Sequence, residues 1–363
     1  MGKHKKLPPP VVQRTFCFLC CGVWMILGWK AEAFPSSADW KDRTSITSLV
    51  KDRLQPGSTV QIAFVADHNV DDKEIKHGLE NPVYILGYWS IRGLAAPIRM
   101  MLSAAQVNHW CVLYDSDNGD ETQYMNDKTW LQTEYSALMN LPFLIYHNSE
   151  TDQDSVLTQT NAIMQFLGRE LGMLGRNAYE MAVCEELLCE LMDLRDNMIR
   201  FAYPGWKDFS NCSPDDREDA IKLLEGASRG HWDKLEAYLK QKYSRDDEKK
   251  HVCYLVGDQC SAPDFHLWEM MAQYEGLGRY YQLDESLCVW HQRPFLKLFF
   301  SSFQQLPENQ AYMKSELLTM LPYNNPSARF GADPSSLGTY SCQDQGPARW
   351  MNWGVVQDVR VRR

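Results

Sequence analysis

The apolar positions of this chain follow two rhythms, and the change from one to the other marks its organisation. Val83, Tyr84, Ile85 and Leu86 form a continuous apolar run that reads as a buried strand. The pattern predicts that the strand breaks at Gly87 and delivers Tyr88 and Trp89 to its carboxyl end. A helix then follows over 91–105, with Ile91, Leu94, Ile98, Met101, Leu102 and Ala105 at helical spacing. Pro97 is tolerated there because it falls near the first turn. A second strand covers 110–114, and a polar, acidic stretch covers 115–128. Residues 130–139 lead into Leu141-Pro142, followed by strands over 143–146 and 155–157 and a helix over 159–171.

The order β-α-β, then β-β-α, predicts a thioredoxin-like α/β domain, one mixed sheet flanked by helices. From Asn177 onward the period is helical, with a stripe of Met181, Cys184, Leu188, Leu191, Met198 and Ala202. Ser213-Pro214-Asp215-Asp216 is a helix start, with a capping Ser, Pro in the first position and acids at the positive end of the dipole, and Ser261-Ala262-Pro263-Asp264 is a second capping signal. A further apolar helix covers 295–303. The second domain is therefore expected to be all-α. The predicted boundaries are 82–172 for the first domain, 173–325 for the second, 34–81 for an extension and 326–363 for a mobile tail rich in Gly, Ser, Pro and Asp. Within the extension, residues 59–66 alternate like a short strand.

Residues 1–33 have their own logic. Lys3, Lys5, Lys6 and Arg14 precede the apolar run 16–29, and Ala31-Glu32-Ala33 is a small-x-small site. Basic, apolar, then cleavable is the order of a secretory signal peptide, with Phe34 as the first mature residue. The run is short for a membrane span, but a retained anchor is an alternative, with Cys20 and Cys21 as palmitoylation sites. The expected location is the secretory pathway or endoplasmic reticulum; the Ser- and Thr-rich stretch 34–59 leaves a complex plastid open, and a cytoplasmic location remains the third reading. A membrane is a partner only if the apolar run is retained.

Composition narrows the function. A net charge of −10 with no Lys/Arg-rich stripe argues against nucleic-acid binding. The eleven Cys include no Cys-x-x-Cys pair outside the N-terminal run and no His spacing that suggests zinc, so most read as buried free thiols and no metal is expected. The most telling chemistry is Tyr88. A phenol stays protonated at neutral pH and can donate a hydrogen bond. Donated to a thiolate, that bond lowers the thiol's pKa, and a shift of about two units is worth roughly 2.7 kcal/mol. Ligands of open α/β sheets sit beyond the carboxyl ends of strands, where Tyr88 stands.

The run LGYWSIRGL (86–94), followed by Ala96-Pro97-Ile98-Arg99, resembles the opening of Mu-class glutathione transferases. The resemblance covers about residues 82–325 and implies a homodimeric enzyme with glutathione as co-substrate, in which Tyr88 activates the thiol for attack on a small hydrophobic electrophile. It implies that Asn140-Leu141-Pro142 is the family's cis-proline turn, presenting Leu141 to the cysteinyl part of glutathione. It makes Gln159 and Thr160 ligands of the γ-glutamyl carboxylate at a helix N-terminus. Trp89 and Trp130 match positions that hold the glycyl end, with Lys128 the nearest cation; the family's Lys and Arg there are replaced by Asp127 and Glu134. Asp193 would reach the glutathione amine in the partner subunit, and Tyr203 would assist at the electrophile side. The alternatives are a non-catalytic carrier on the same fold, or an isomerase or peroxidase using the same thiolate.

Overall fold

The computed structural model describes residues 60–61, 83–114, 122–204, 216–243, 254–332 and 355–356. The proposed signal segment, most of the extension, the capping residues 213–215 and most of the tail lie outside the described residues. In chain order the elements are β1 (Val60–Gln61), β2 (Tyr84–Trp89), α1 (Ala96–Ala104), β3 (His109–Tyr114), α2 (Thr122–Glu134), β4 (Phe143–Asn148), β5 (Gln153–Thr158) and α3 (Thr160–Glu170). Then come α4 (Ala178–Ala202), α5 (Asp216–Lys222), a π-helical turn Leu223–Ala227, α6 (Arg229–Tyr243), α7 (Ala262–Tyr280) and α8 (Pro294–Phe303). The short helices α9 (Gln310–Met313) and α10 (Glu316–Thr319) and the strand β6 (Val355–Val356) complete the list.

The sheet is mixed. β2 pairs parallel with β3 and antiparallel with β4, and β4 pairs antiparallel with β5. These four strands with α1, α2 and α3 make the thioredoxin-like layer arrangement, and the chain is helical from α4 onward. β1 adds to the outer edge of β3, and β6 to β1. Of the alternating stretch 59–66, Val60 and Gln61 are the described part, and they are in strand conformation.

Gly87 does not break β2. It pairs with Val112 on one side and Phe143 on the other, and a Cβ there would lie 2.1 Å from the Phe143 ring. Glycine is needed because an aromatic ring already fills the space, a close-approach role rather than a terminating one. The strand therefore continues to Trp89, and alternation sorts its side chains. Tyr84, Leu86 and Tyr88 face the core shared with α1 and the helical half, whereas Ile85 joins Trp110, Val112, Tyr114 and Phe143 under α2. Residues 91–95 form turns rather than helix, so α1 starts five residues later than its apolar spacing suggests, with Pro in its first turn.

In the helical half, Asn177 caps α4 by accepting from the Glu180 N–H, and Cys184, Leu188, Leu191, Met198 and Ala202 are buried as the stripe predicts. At the start of α7 the Asp264 carboxylate accepts from the Ser261 N–H (2.8 Å), the Ser261 hydroxyl (2.6 Å) and the Leu255 N–H (2.7 Å). Packing extends past Pro326: Phe330 is buried, Arg329 pairs with Asp219 at 2.9 Å, and the Asn324 N–H donates to Gly331. Among the described residues no helix is long and apolar enough to cross a membrane. The described cysteines are free; Cys111, Cys184 and Cys260 are buried, Cys288 is half-buried and Cys189 is exposed.

Candidate active site

Tyr88 ends up nearly buried at the carboxyl end of β2, on the face toward the helical half. Its hydroxyl oxygen accepts from the Leu94 N–H at 3.1 Å. That bond needs the turn after β2 to fold back on the phenol. Gly93 makes this possible, with φ +41 and a position where a Cβ would stand 2.7 Å from the hydroxyl oxygen. The turn is held from three sides. The Arg99 guanidinium donates to the carbonyls of Ile91 (2.7 Å) and Trp89 (3.3 Å). The Arg92 and Gly93 N–H groups donate to the carbonyls of Pro322 and Tyr323. The Arg92 side chain forms a buried, two-pronged ion pair with Glu269 (2.6 and 3.1 Å), and Gln273 donates to the same carboxylate at 2.8 Å. The pairing of Arg92 with Glu269 escapes sequence reading because the two lie 177 positions apart.

Tyr203, at the end of α4, lies within electrostatic reach of Tyr88. Its hydroxyl accepts from the Asn325 N–H at 2.8 Å. Burial pushes its pKa up to about 12, so it is a neutral phenol over the physiological range.

The opposite face of the sheet gathers the indoles. Trp89 packs edge-on against Tyr124 (5.1 Å) and Tyr114 (6.5 Å), and Trp130 against Tyr135 (5.6 Å). Trp89, Trp130 and Leu141 border one aromatic cluster. The Lys128 ammonium lies 5.7 Å from the Tyr124 ring centre, which puts this cation beside the Trp89 cluster. The Leu141-Pro142 bond is cis, Pro142 is buried and Asn140 is exposed.

Gln159 and Thr160 open α3. Gln159 stands at φ +73, a left-handed conformation that a side chain adopts at a cost and that clusters at ligand clamps. The Thr160 hydroxyl is buried, at 1% residue exposure, with no hydrogen-bond partner among the described residues. An orphaned donor beside the unpaired N–H groups of a helix start suits a carboxylate. Asp193, by contrast, is exposed on α4 in the single chain.

The family model described as "Glutathione S-transferase, N-terminal domain" matches residues 85–169. The chain is 30% identical to glutathione S-transferase Mu 1 of Oryctolagus cuniculus over 240 residues, covering 65% of this chain and 93% of that one. The chain belongs to the glutathione S-transferase family. It is also 30% identical over 247 residues to the class-mu 26 kDa isozyme of Schistosoma japonicum, covering 68% and 95%. Among solved structures, the Pi-class glutathione S-transferase of Onchocerca volvulus superimposes with TM-score 0.51 at 21% identity, covering 68% of this chain and all of that one. The transferase Blo t 8 does so with TM-score 0.53 at 21% identity, covering 68% and 99%. These two likenesses support the fold. The chain is therefore a transferase of the glutathione-using kind.

The two acids near Lys128 and Trp130 differ in setting. Glu134 is exposed, whereas Asp127 is buried and accepts from the Tyr114 hydroxyl at 3.0 Å. Its other oxygen is buried with no partner among the described residues, so burial outweighs the one hydrogen bond and lifts the carboxyl to about 6. A raised carboxyl pKa favours the folded state below the unfolded value of 3.8, and that advantage is lost as pH rises through about 6. Asp127→Asn is accordingly expected to gain on the order of 2 kcal/mol over wild type on going from pH 4 to pH 7.5. Urea unfolding at the two pH values measures it; a pH-independent difference would refute the assignment.

Proposed function

We propose that this transferase joins glutathione to small hydrophobic electrophiles, a detoxifying conjugation, with Tyr88 as the catalytic hydrogen-bond donor. The observation that carries the reading is the Tyr88 hydroxyl, whose oxygen already accepts from the Leu94 N–H and whose own proton meets no acceptor among the described residues. A donor N–H on the phenol oxygen also polarises the O–H toward its acceptor. Glutathione bound with its sulfur at Tyr88 would be held as thiolate. The thiolate forms the new carbon–sulfur bond while the leaving group departs with its electron pair, and Tyr203, neutral and nearby, donates a hydrogen bond on the electrophile's side.

Binding follows the remaining residues. The Thr160 hydroxyl and the helix start behind Gln159 take the γ-glutamyl carboxylate, and their orphaned, buried donor fits that group. The Leu141 backbone before Pro142 faces the cysteinyl unit; Trp89, Trp130 and Lys128 flank the glycyl end, with Asn140 at the rim. Fixing three parts of one tripeptide removes orientational freedom from the barrier before the electrophile arrives.

A homodimer completes the reading. Asp193 is solvent-exposed in the single chain, which suits a residue that reaches a partner's glutathione amine, and Leu138 beside the cis-proline turn exposes 79% of its surface, an apolar group suited to burial by a second copy. Residues 1–33 would direct the chain to the secretory pathway and be removed before Phe34. One preparation from the native cell tests these points: retention on immobilised glutathione, sedimentation at twice the chain mass and a mature amino terminus at Phe34 are expected. Failure to be retained by glutathione overturns the functional reading; a monomer, or an intact Met1, overturns the dimer or the cleavage alone.

A further inference from the structure

The outer edge of β3 is taken by two segments that lie outside residues 82–325, the stretch that resembles glutathione transferases. In the strand order β5-β4-β2-β3 alone, β3 would end the sheet with a row of unpaired N–H and C=O groups. Its sequence HWCVLY, buried at all six positions, would make that edge a template for a foreign strand. Instead β1, from the extension, pairs with β3, and β6, from the tail, pairs with β1.

The pairing has a definite level. Gln61 stands opposite Leu113, Leu113 stands opposite Tyr88 on its other side, and Val355 stands opposite Gln61. One row across four strands therefore runs from Tyr88 to the tail. It lies at the carboxyl end of β3, where ligands of such sheets sit. The next residue explains why that level matters. The Tyr114 carbonyl accepts from the Ser90 N–H at 2.7 Å, and its hydroxyl donates to Asp127 at 3.0 Å. Its ring lies edge-on to Trp89 (6.5 Å) and Tyr124 (5.4 Å). Tyr114 thus joins the turn after β2, helix α2 and the Trp89 indole, and fraying of its strand end would disturb all three. A two-residue β1 fixes its backbone for few hydrogen bonds, so pairing on its second side by β6 offsets that ordering cost.

We propose that the extension and the tail work as one clamp on the sheet. β6 holds β1, and β1 holds the end of β3, so that Tyr114 keeps Trp89 and the Ser90 turn in place for glutathione. The clamp is a positioning device that acts through Tyr114. Its effect on glutathione rests on the proposed Tyr88 site, whereas the pairing itself does not.

Two proline variants of the full chain test it. Val60→Pro with Gln61→Pro removes the N–H groups of β1 toward both neighbours, because successive residues of a strand point theirs in opposite directions. Val355→Pro with Val356→Pro does the same to β6 and leaves the sequence of β1 intact. Val60→Thr with Gln61→Thr keeps every N–H on residues suited to strands, and is the conservative control. Hydrogen–deuterium exchange, read by mass spectrometry, follows peptides spanning 109–114, with α7 as internal reference. Both proline variants are expected to exchange about tenfold faster at 109–114, at unchanged α7 rates and melting temperature. Both are also expected to raise the KM for glutathione about fivefold with kcat within about twofold, since the Trp89 side contributes equally to ground state and transition state. The Thr control should match wild type. Exchange at 109–114 equal to that of wild type would overturn the clamp, whether or not the chain conjugates glutathione. The same losses in the Thr control would overturn it too. Faster exchange with an unchanged KM, or a fall in kcat alone, would overturn the positioning role. No turnover by wild type would overturn the proposed conjugation, and the KM claim with it, while exchange still judges the clamp.

Discussion

Tyr88→Phe is expected to lower the rate of glutathione conjugation by about 10²-fold at pH 7, with little change in the glutathione concentration needed for half-saturation. The substitution removes one hydroxyl from a side chain that is otherwise packed in the core. Without it, the bound thiol returns toward its ordinary pKa of about 8.5, and only a few per cent is thiolate at pH 7. The deficit should therefore shrink as pH rises past about 8.5, because the thiol then ionises unaided. Steady-state rates with a chloronitrobenzene electrophile between pH 6 and 9.5, together with the ultraviolet absorbance of the bound thiolate, measure both effects. The variant also leaves the Leu94 N–H without its acceptor, so a thermal melt must accompany the kinetics. Equal rates in the two proteins, or a deficit that does not vary with pH, would remove Tyr88 from the chemistry.

The other large effect is on stability. Arg92→Met is expected to destabilise the fold by about 3–5 kcal/mol, because Glu269 would lose its ion-pair partner in a site where it is almost fully buried. A fall in melting temperature on the order of 10 °C follows. Glu269→Leu alone should cost a similar amount by stranding Arg92. The double variant should recover most of the loss, since two apolar side chains replace two buried charges. Arg92 lies in the turn that carries the Leu94 N–H, and Glu269 on α7, so the pair ties the Tyr88 turn to the helical half. Chemical denaturation of the three variants forms a double-mutant cycle. Additive losses in the double variant would show that the two charges do not act as a pair.

These two residues differ in how visible they are in the chain. Tyr88 is legible because a strand-end phenol followed by LAAPIR belongs to a local pattern. The same holds for the cis turn at Leu141-Pro142, the helix start at Gln159 and Thr160, and the apolar stripe of α4, all set by neighbours within a few residues. Helix α2 was not legible. Its sequence TQYMNDKTWLQTE has no apolar stripe, and it holds its place by Tyr124, Leu131 and the buried Asp127 packing beneath the sheet. Gly87 misleads for the same reason: a glycine in a strand looks like a stop until the Phe143 ring is seen in its empty space.

Periodicity, caps and short motifs act over one or two turns of chain, so the order of elements and the change from a mixed sheet to a helical second half could be read from them. Contacts between distant segments could not. The ion pair between the Tyr88 turn and α7, the burial that lifts Asp127 and the stacked ring row of Trp268, Phe300 and Trp290 exist only once the sheet and the helices close on each other. Burial and pairing are properties of the surroundings in space, and no local pattern encodes which side chain will be the neighbour.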